Sequence, residues 1–153
     1  MAFVIDTDII INAPAEQVFA VLTDLRNYSQ WNEQLFCHSG EPQVGSKLKL
    51  ELRLPEGKGF SFEPTVITYE ENCRFAWLAT TMLKGIFDGE HRFELTLLES
   101  NRTKLRNTEY YSGLLSPLFQ RMPMMQDADK GFERMNEALK VRVESLSKTL
   151  SQS

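Results

Sequence analysis

Cysteine and histidine are scarce in this 153-residue sequence: Cys37, Cys73, His38 and His91 are all it has. Two cysteines make neither a disulfide framework nor a zinc quartet, and the histidines fit no HExxH spacing, so no metal site is expected. The cysteines read as reduced thiols of a cytoplasmic protein. Also missing are GxxxxGK[ST], GxGxxG and GxSxG, the common phosphate-loop, dinucleotide and hydrolase signatures. Positive charge is not in excess, since the net charge is −4, so nucleic acid is not an expected partner. The longest stretch without a charge, Tyr110 to Gln120, contains Ser112, Gly113, Ser116 and Pro117. A membrane helix needs roughly 20 mostly apolar residues, so no transmembrane segment is expected. The opening MAFVIDTDII has no Lys or Arg and carries Asp6 and Asp8 where a signal peptide is apolar.

What is present is an ordinary globular balance, 42% hydrophobic and 25% charged, without repeats or an internal linker. One domain over residues 1–150 is expected, followed by a polar Ser151–Ser153 read as a disordered tail. Phe3 to Ile11 alternates as a strand. Pro14 then marks a helix start, with Val18, Val21, Leu22 and Leu25 at helical spacing and a further turn or two from Arg26 to Trp31. From Leu35 to Tyr111 the period is two. Leu48, Leu50, Leu52 and Leu54 alternate with charged residues, and Pro64 interrupts the run that holds Phe60 and Phe62, predicting a bulge or edge there. Ser116 to Pro123 holds two prolines and cannot be regular helix throughout. Beyond it, Phe132, Met135, Leu139, Val143, Leu146 and Leu150 predict a long amphipathic helix. Strand, helical pair, six strands and a terminal helix make an α+β order with antiparallel pairing.

Several local motifs carry a family resemblance. They are Asn12-Ala13-Pro14-Ala15-Glu16-Gln17-Val18-Phe19 with Asp24, Tyr28, Trp31 and Asn32, then Phe75-Ala76-Trp77, then GIFDGEHRF from Gly85 to Phe93. Tyr111-Ser112-Gly113 and Gly131-Phe132 complete the set. Over about residues 3 to 148 the chain resembles the START-like superfamily, also called SRPBCC or Bet v 1-like, especially its polyketide cyclase/dehydrase and lipid-transport branch. The resemblance implies a helix-grip fold: a curved seven-stranded antiparallel sheet wrapped around the C-terminal helix, two short helices after the first strand, and a cavity for an apolar small molecule. That family hosts binders, cyclases, chaperone cofactors and plant allergens, so fold alone assigns no activity.

The most informative pair comes from strand arithmetic. If Leu98 and Arg102 flank a three-residue loop Glu99-Ser100-Asn101, with Asn101 left-handed, then Leu97 faces Thr103, Leu95 faces Leu105, Phe93 faces Asn107 and His91 faces Glu109. Opposed Cβ atoms lie about 5 Å apart, close enough for an imidazole–carboxylate contact. In one reading His91, made more basic by Glu109, binds a ligand's carbonyl or hydroxyl or moves a proton. In the other the two form a buried ion pair, or a pair near the cavity mouth facing water, with no ligand role. Inward aromatics, namely Phe60, Phe62, Phe75, Trp77, Phe87, Phe93 and Tyr111, suit a flat or lipid-like ligand but also plain core. Trp31 and Tyr28 either gate a pocket mouth or staple the first helix to the sheet. Gly131 sits in a strong helical pattern at a cost of about 1 kcal/mol, which leaves room for a cavity or a close approach. Met122, Met124 and Met125 suit a portal or serve as gap-fillers.

The expected ligand contacts are therefore Trp31, Phe62, Phe75, Trp77, Phe87, His91 and Phe93, with Asn107, Glu109 and Tyr111 from the closing strand and Gly131 and Met135 from the helix. The leading function is binding of a small hydrophobic or amphipathic molecule (lipid, polyketide or aromatic-like), with no cofactor. One alternative is a cyclase/dehydratase-type enzyme with His91 and Glu109 as its catalytic pair; another is a protein-interaction module.

Overall fold

The computed structural model, which describes residues 2–81 and 83–152, holds eight strands and four α-helices: one strand, a helical pair, seven strands in succession and three helices. Strand β1 spans Phe3–Ile11 and leads to helix α1, Ala15–Thr23. Pro14 stands just before the helix, and its carbonyl accepts the N–H groups of Gln17 and Val18 at 3.1 and 3.2 Å. The missing N–H of proline is no loss there, because the first turn has no intrahelical acceptor for it. A 3₁₀ turn over Leu25–Gln30 follows at once. Its Tyr28 is fully buried and donates its hydroxyl to the Leu22 carbonyl, so it staples α1 to the turn.

Strands β2 (Leu35–Ser39), β3 (Lys49–Arg53) and β4 (Gly59–Phe62) form a three-stranded sheet in the order β2-β3-β4. Strands β5 (Thr65–Glu70), β6 (Arg74–Thr81), β7 (Phe87–Glu99), β8 (Arg102–Ser112) and β1 form a second sheet in the order β1-β8-β7-β6-β5. The count is eight where seven were expected because Pro64 divides one run into β4 and β5. Proline lacks the N–H that a ladder requires. The pairing nevertheless resumes beyond it. Lys47 bridges Thr65 in the register already set by Leu50 with Phe62, the Leu48 N–H donates to the Pro64 carbonyl at 2.8 Å, and Val66 donates to Ser46 at 2.9 Å. The two sheets are thereby joined through this corner. Phe60, expected inward, is 46% exposed, because β4 ends the three-stranded sheet and its outer residues have no strand beyond them.

The chain closes with α2 (Ser116–Gln120), α3 (Pro123–Gln126) and α4 (Ala128–Gln152). The two prolines each begin a short helix, at the position where proline is tolerated. Helix α4 carries on through Ser151 and Gln152 instead of giving way to a separate tail; Ser153 lies outside the described residues. Met135, Leu139 and Val143 on α4 join Val18, Leu22, Phe75, Trp77, Phe93 and Leu105 in one buried cluster. Leu146 and Leu150, on the same stripe, are 38 and 60% exposed. Each fully buried Leu or Phe contributes about 1.5–3 kcal/mol, so this cluster is the main source of stability.

The β7–β8 ladder pairs His91 with Glu109, Phe93 with Asn107, Leu95 with Leu105 and Leu97 with Thr103, as expected. The turn differs. Glu99 pairs with Arg102, the loop is Ser100-Asn101, and a bulge between Leu97 and Glu99 takes up the extra residue. Among the described residues the non-glycine with a left-handed backbone is Asn72, at φ 61°, and not Asn101. Because the bulge falls outside the paired stretch, the register inside it is unaffected.

Candidate functional site

The inner face of the hairpin carries a polar chain that ends on α4. The His91 ring is 8% exposed and its Nε2 lies 2.7 Å from Asn107 Oδ1. Asn107 Nδ2 donates to Asn136 Oδ1 at 2.8 Å, and Asn136 Nδ2 donates to the Thr7 hydroxyl at 2.9 Å. Thr7 donates in turn to the Asn107 carbonyl at 2.8 Å. Since Asn107 presents its amide nitrogen to α4, its oxygen is the acceptor for His91. Nε2 therefore carries the proton and Nδ1 is left bare.

That bare Nδ1 faces Glu109 Oε2 at 3.8 Å, too far for a hydrogen bond. The cross-strand placement is as expected, but the expected effect on basicity is reversed. Burial pushes the His91 imidazole down to about 4, against a smaller upward pull from Asn107. The same loss of solvent pushes the Glu109 carboxyl up to about 7, only partly offset by the Tyr111 hydroxyl, which donates to Oε2 at 3.0 Å. Charged forms are disfavoured at both groups, so near neutrality a neutral imidazole stands beside a carboxyl that retains its proton far more readily than an exposed one. Among the described residues nothing donates to Glu109 Oε1. Gly89 makes room for it, for a Cβ at that position would stand 2.8 Å from the oxygen.

Aromatic rings surround the chain on both sides. His91 stacks on Phe132 of α4 with centroids 4.9 Å apart, and also meets Trp77 and Phe93 at 4.9 and 4.4 Å. Phe75 packs edge-on against Trp77. Toward the open end Phe87 lies between Tyr111 at 5.4 Å and Phe119 of α2 at 4.1 Å, all three stacked. Met135 touches the chain through the Asn107 amide. The structure thus brings together Phe75, Trp77, Phe87, His91, Phe93, Asn107, Glu109, Tyr111 and Met135.

Three expected contacts lie elsewhere. Trp31 packs edge-on against Tyr28 and lines an outer groove of about 190 Å³ with Val21, Asn27, Arg142 and Leu146. Phe62 lies in the three-stranded sheet against Phe60. Gly131 faces Gln34, 3.4 Å from where its Cβ would be, and so leaves no cavity beside the sheet. The space between sheet and α4 next to His91 is taken by the Phe132 ring where the resemblance implied a hollow. The other concavity that stands out, about 490 Å³, is also outside, bounded by Glu41, Pro42, Gln43, Val44 and Tyr69.

Thr7, Gly89, Phe119, Phe132 and Asn136 belong to the site but were not singled out as contacts. Two had readable signals. Asn136 falls four residues after Phe132 and three before Leu139, a polar side chain in the middle of an apolar stripe. Gly89 interrupts a strand, a common mark of close approach. Phe119 follows Pro117 in a segment without a period, and nothing local placed it. Among the described residues no group of acidic, histidine or cysteine side chains could hold a metal ion, and no helix is long and apolar enough to cross a membrane.

No match to the chain is found among curated proteins. Solved structures give a consistent likeness of fold. A START superfamily protein from Mycobacterium smegmatis is 21% identical with TM-score 0.71, covering 94% of this chain and 98% of its own. The ZhuI aromatase/cyclase from Streptomyces sp. R1128 is 14% identical with TM-score 0.72, covering 94% of each chain. Norcoclaurine synthase from Thalictrum flavum, solved with dopamine and hydroxybenzaldehyde, is 13% identical with TM-score 0.72, covering 95% of this chain and 88% of its own. The family model described as polyketide cyclase / dehydrase and lipid transport matches residues 2–144, and the chain belongs to that family.

Proposed function

We propose that the protein binds a small amphipathic molecule between the β7–β8 hairpin and α4, in space gained when the Phe132 ring turns aside, with Glu109, Tyr111 and His91 at its polar end and Phe87, Phe119 and Phe132 against its apolar part. The observation that carries this reading is the Glu109 carboxyl: 16% exposed, bonded among the described residues by Tyr111, and held at about 7 inside a wall of rings. A buried acid with an unused oxygen is costly unless something is meant to meet it. A hydroxyl or amide of a ligand would complete its bonding, while the rings take up apolar surface at about 25 cal/mol per Å².

Entry requires the α2–α3 segment to lift. That segment suits the task, since Ser116 is the only buried residue of α2 and α3 has none. Elements with little buried surface open at low free-energy cost. Native mass spectrometry of the purified protein, followed by organic extraction, is expected to release a bound small molecule. The same preparation of Gly89→Leu, which fills the space beside Glu109, is expected to be empty. Equal occupancy in the two proteins, or none in the wild type, defeats the reading.

A second reading is acid–base turnover of a carbonyl or hydroxy compound, as in a cyclase or dehydratase. The titration near neutrality favours Glu109 over His91 as the group that exchanges the proton, since a general acid–base works best near the ambient pH. Turnover that Glu109→Gln abolishes while binding persists would select this reading.

A further inference from the structure

One end of the molecule departs from the acidic character of the rest. Residues 83–86 and 113–126 contain Lys84 and Arg121 and no Asp or Glu, in a chain of net charge −4. Backbone bonds tie the two segments together, Leu114 N–H to the Gly85 carbonyl and Leu115 N–H to the Ile86 carbonyl, each at 2.9 Å. Gly113 permits this approach, with φ +112° and only 2.6 Å between an added Cβ and the Ile86 carbonyl. The end therefore presents its side chains as one surface. On it Leu83, Leu114 and Leu118 are 72, 78 and 63% exposed, with Met122 and Met124 partly exposed beside them. Lys84 and Arg121 are exposed too, and no hydrogen bond or ion pair occupies either side chain among the described residues.

The acids that border these segments along the chain are neutralised or turned away. Asp88 is buried, with Oδ2 accepting the Gly85 N–H, and Asp127 pairs with Lys130 at 3.0 Å. Exposed leucines clustered at one tip mark an interaction surface. Leucine and methionine points flanked by uncommitted cations, without acids, match one chemistry well. Apolar tips enter the acyl boundary of a bilayer while Lys and Arg sit at anionic headgroups.

The geometry points to this tip, built from residues 83–86 and the α2–α3 segment, as a docking surface for an anionic lipid bilayer. The docking is shallow and reversible, since it rests on a few side chains and two cations. It places the α2–α3 cover of the inner site against lipid, but it stands on the surface alone and not on what the interior binds. Each cation near an anionic surface contributes about fivefold in affinity. Two give about twenty-five-fold over a neutral bilayer, and this preference fades as salt screens the charges.

The test is co-sedimentation of the full chain with vesicles of phosphatidylcholine alone and of equimolar phosphatidylcholine and phosphatidylglycerol. The wild type is expected to pellet with the mixed vesicles and weakly with the neutral ones. Lys84→Gln with Arg121→Gln is expected to bind both alike. Leu114→Ser with Leu118→Ser is expected to bind neither, with an unchanged circular dichroism spectrum because these side chains bury little. Wild-type protein that stays in solution with both vesicles overturns the proposal, as does an anionic preference that survives loss of both cations. So does the absence of vesicle binding with a concentration-dependent dimer that Leu114→Ser and Leu118→Ser abolish, which would assign the surface to a second copy of the chain. Vesicle pelleting does not read occupancy of the interior, so this result and the search for an extractable small molecule fail independently.

Discussion

Along the β7–β8 hairpin, two stretches of one ladder lie under different cover. In the stretch toward the turn, Phe93, Leu105 and Thr103 are fully buried, with α1 packed alongside and the Thr103 hydroxyl donated to the Ala13 carbonyl at 2.8 Å. In the stretch toward the open end, His91 stacks on Phe132 of α4, and Tyr111 stacks on Phe87, which in turn stacks on Phe119 of the short helix α2. The ladder is continuous and its alternation does not change. What changes is that the first stretch is closed by aliphatic and aromatic side chains with their polar groups bonded, whereas the second keeps a carboxyl with a spare acceptor under a weak cover. Stability is concentrated in one stretch and the capacity for chemistry in the other.

The largest effect that would test this division is expected at Leu105, which is fully buried in the closed stretch. Leu105→Ala is expected to destabilise by about 2–5 kcal/mol in urea unfolding, through lost transfer and a residual cavity. A much smaller loss would mean that the closed stretch is not the stable one. Next comes the polar chain. Asn136→Ala strips Thr7 and Asn107 of a partner in a dry site and is expected to cost about 1–3 kcal/mol.

Glu109→Gln sharpens the comparison through pH. The folded carboxyl sits at about 7, above an ordinary value of 4.5, so the unfolded chain gives up its proton first. Stability of the wild type therefore falls as pH rises from 4.5 to 7. Glu109→Gln removes that fall and is expected to gain up to about 3 kcal/mol at pH 8 and almost nothing at pH 4. His91 acts with the opposite sign. Its folded value near 4 lies below 6.5, so it costs stability at low pH and the cost fades as pH rises from 4 to 6.5. The two slopes oppose each other in the wild type, and urea titrations of the variant across pH separate them. The smallest effect is expected at Gly131→Ala, whose Cβ meets Gln34 at ordinary contact distance. It is expected to stabilise by about 0.5–1 kcal/mol in thermal unfolding, by helix propensity.

What was legible in the sequence follows the same division. Leu48 to Leu54, the β7–β8 register and the α4 stripe through Val143 are periodic because a core lies on one side, and a period is what a sequence displays. The bulge at Leu98 is not periodic, and so the turn was read one residue too long. Strand arithmetic set His91 opposite Glu109 but could not choose a side-chain rotamer, and the imidazole turned to Asn107 instead. Burial then decided the protonation of both groups, a quantity that depends on Phe132 and Trp77 from other elements. Trp31 and Phe62 are of the right type for a pocket wall but belong to parts of the fold that face elsewhere.

The corner at Pro64 has one more consequence. Phe62, Pro64 and Val66 keep a common facing, and the ladder enters and leaves the proline without losing step. Only a donor is forgone there, while the carbonyl remains engaged by Leu48. Bending and phase are thus uncoupled at this one position. A residue with an N–H at position 64 would therefore restore a donor without reassigning which side chains look into the interior.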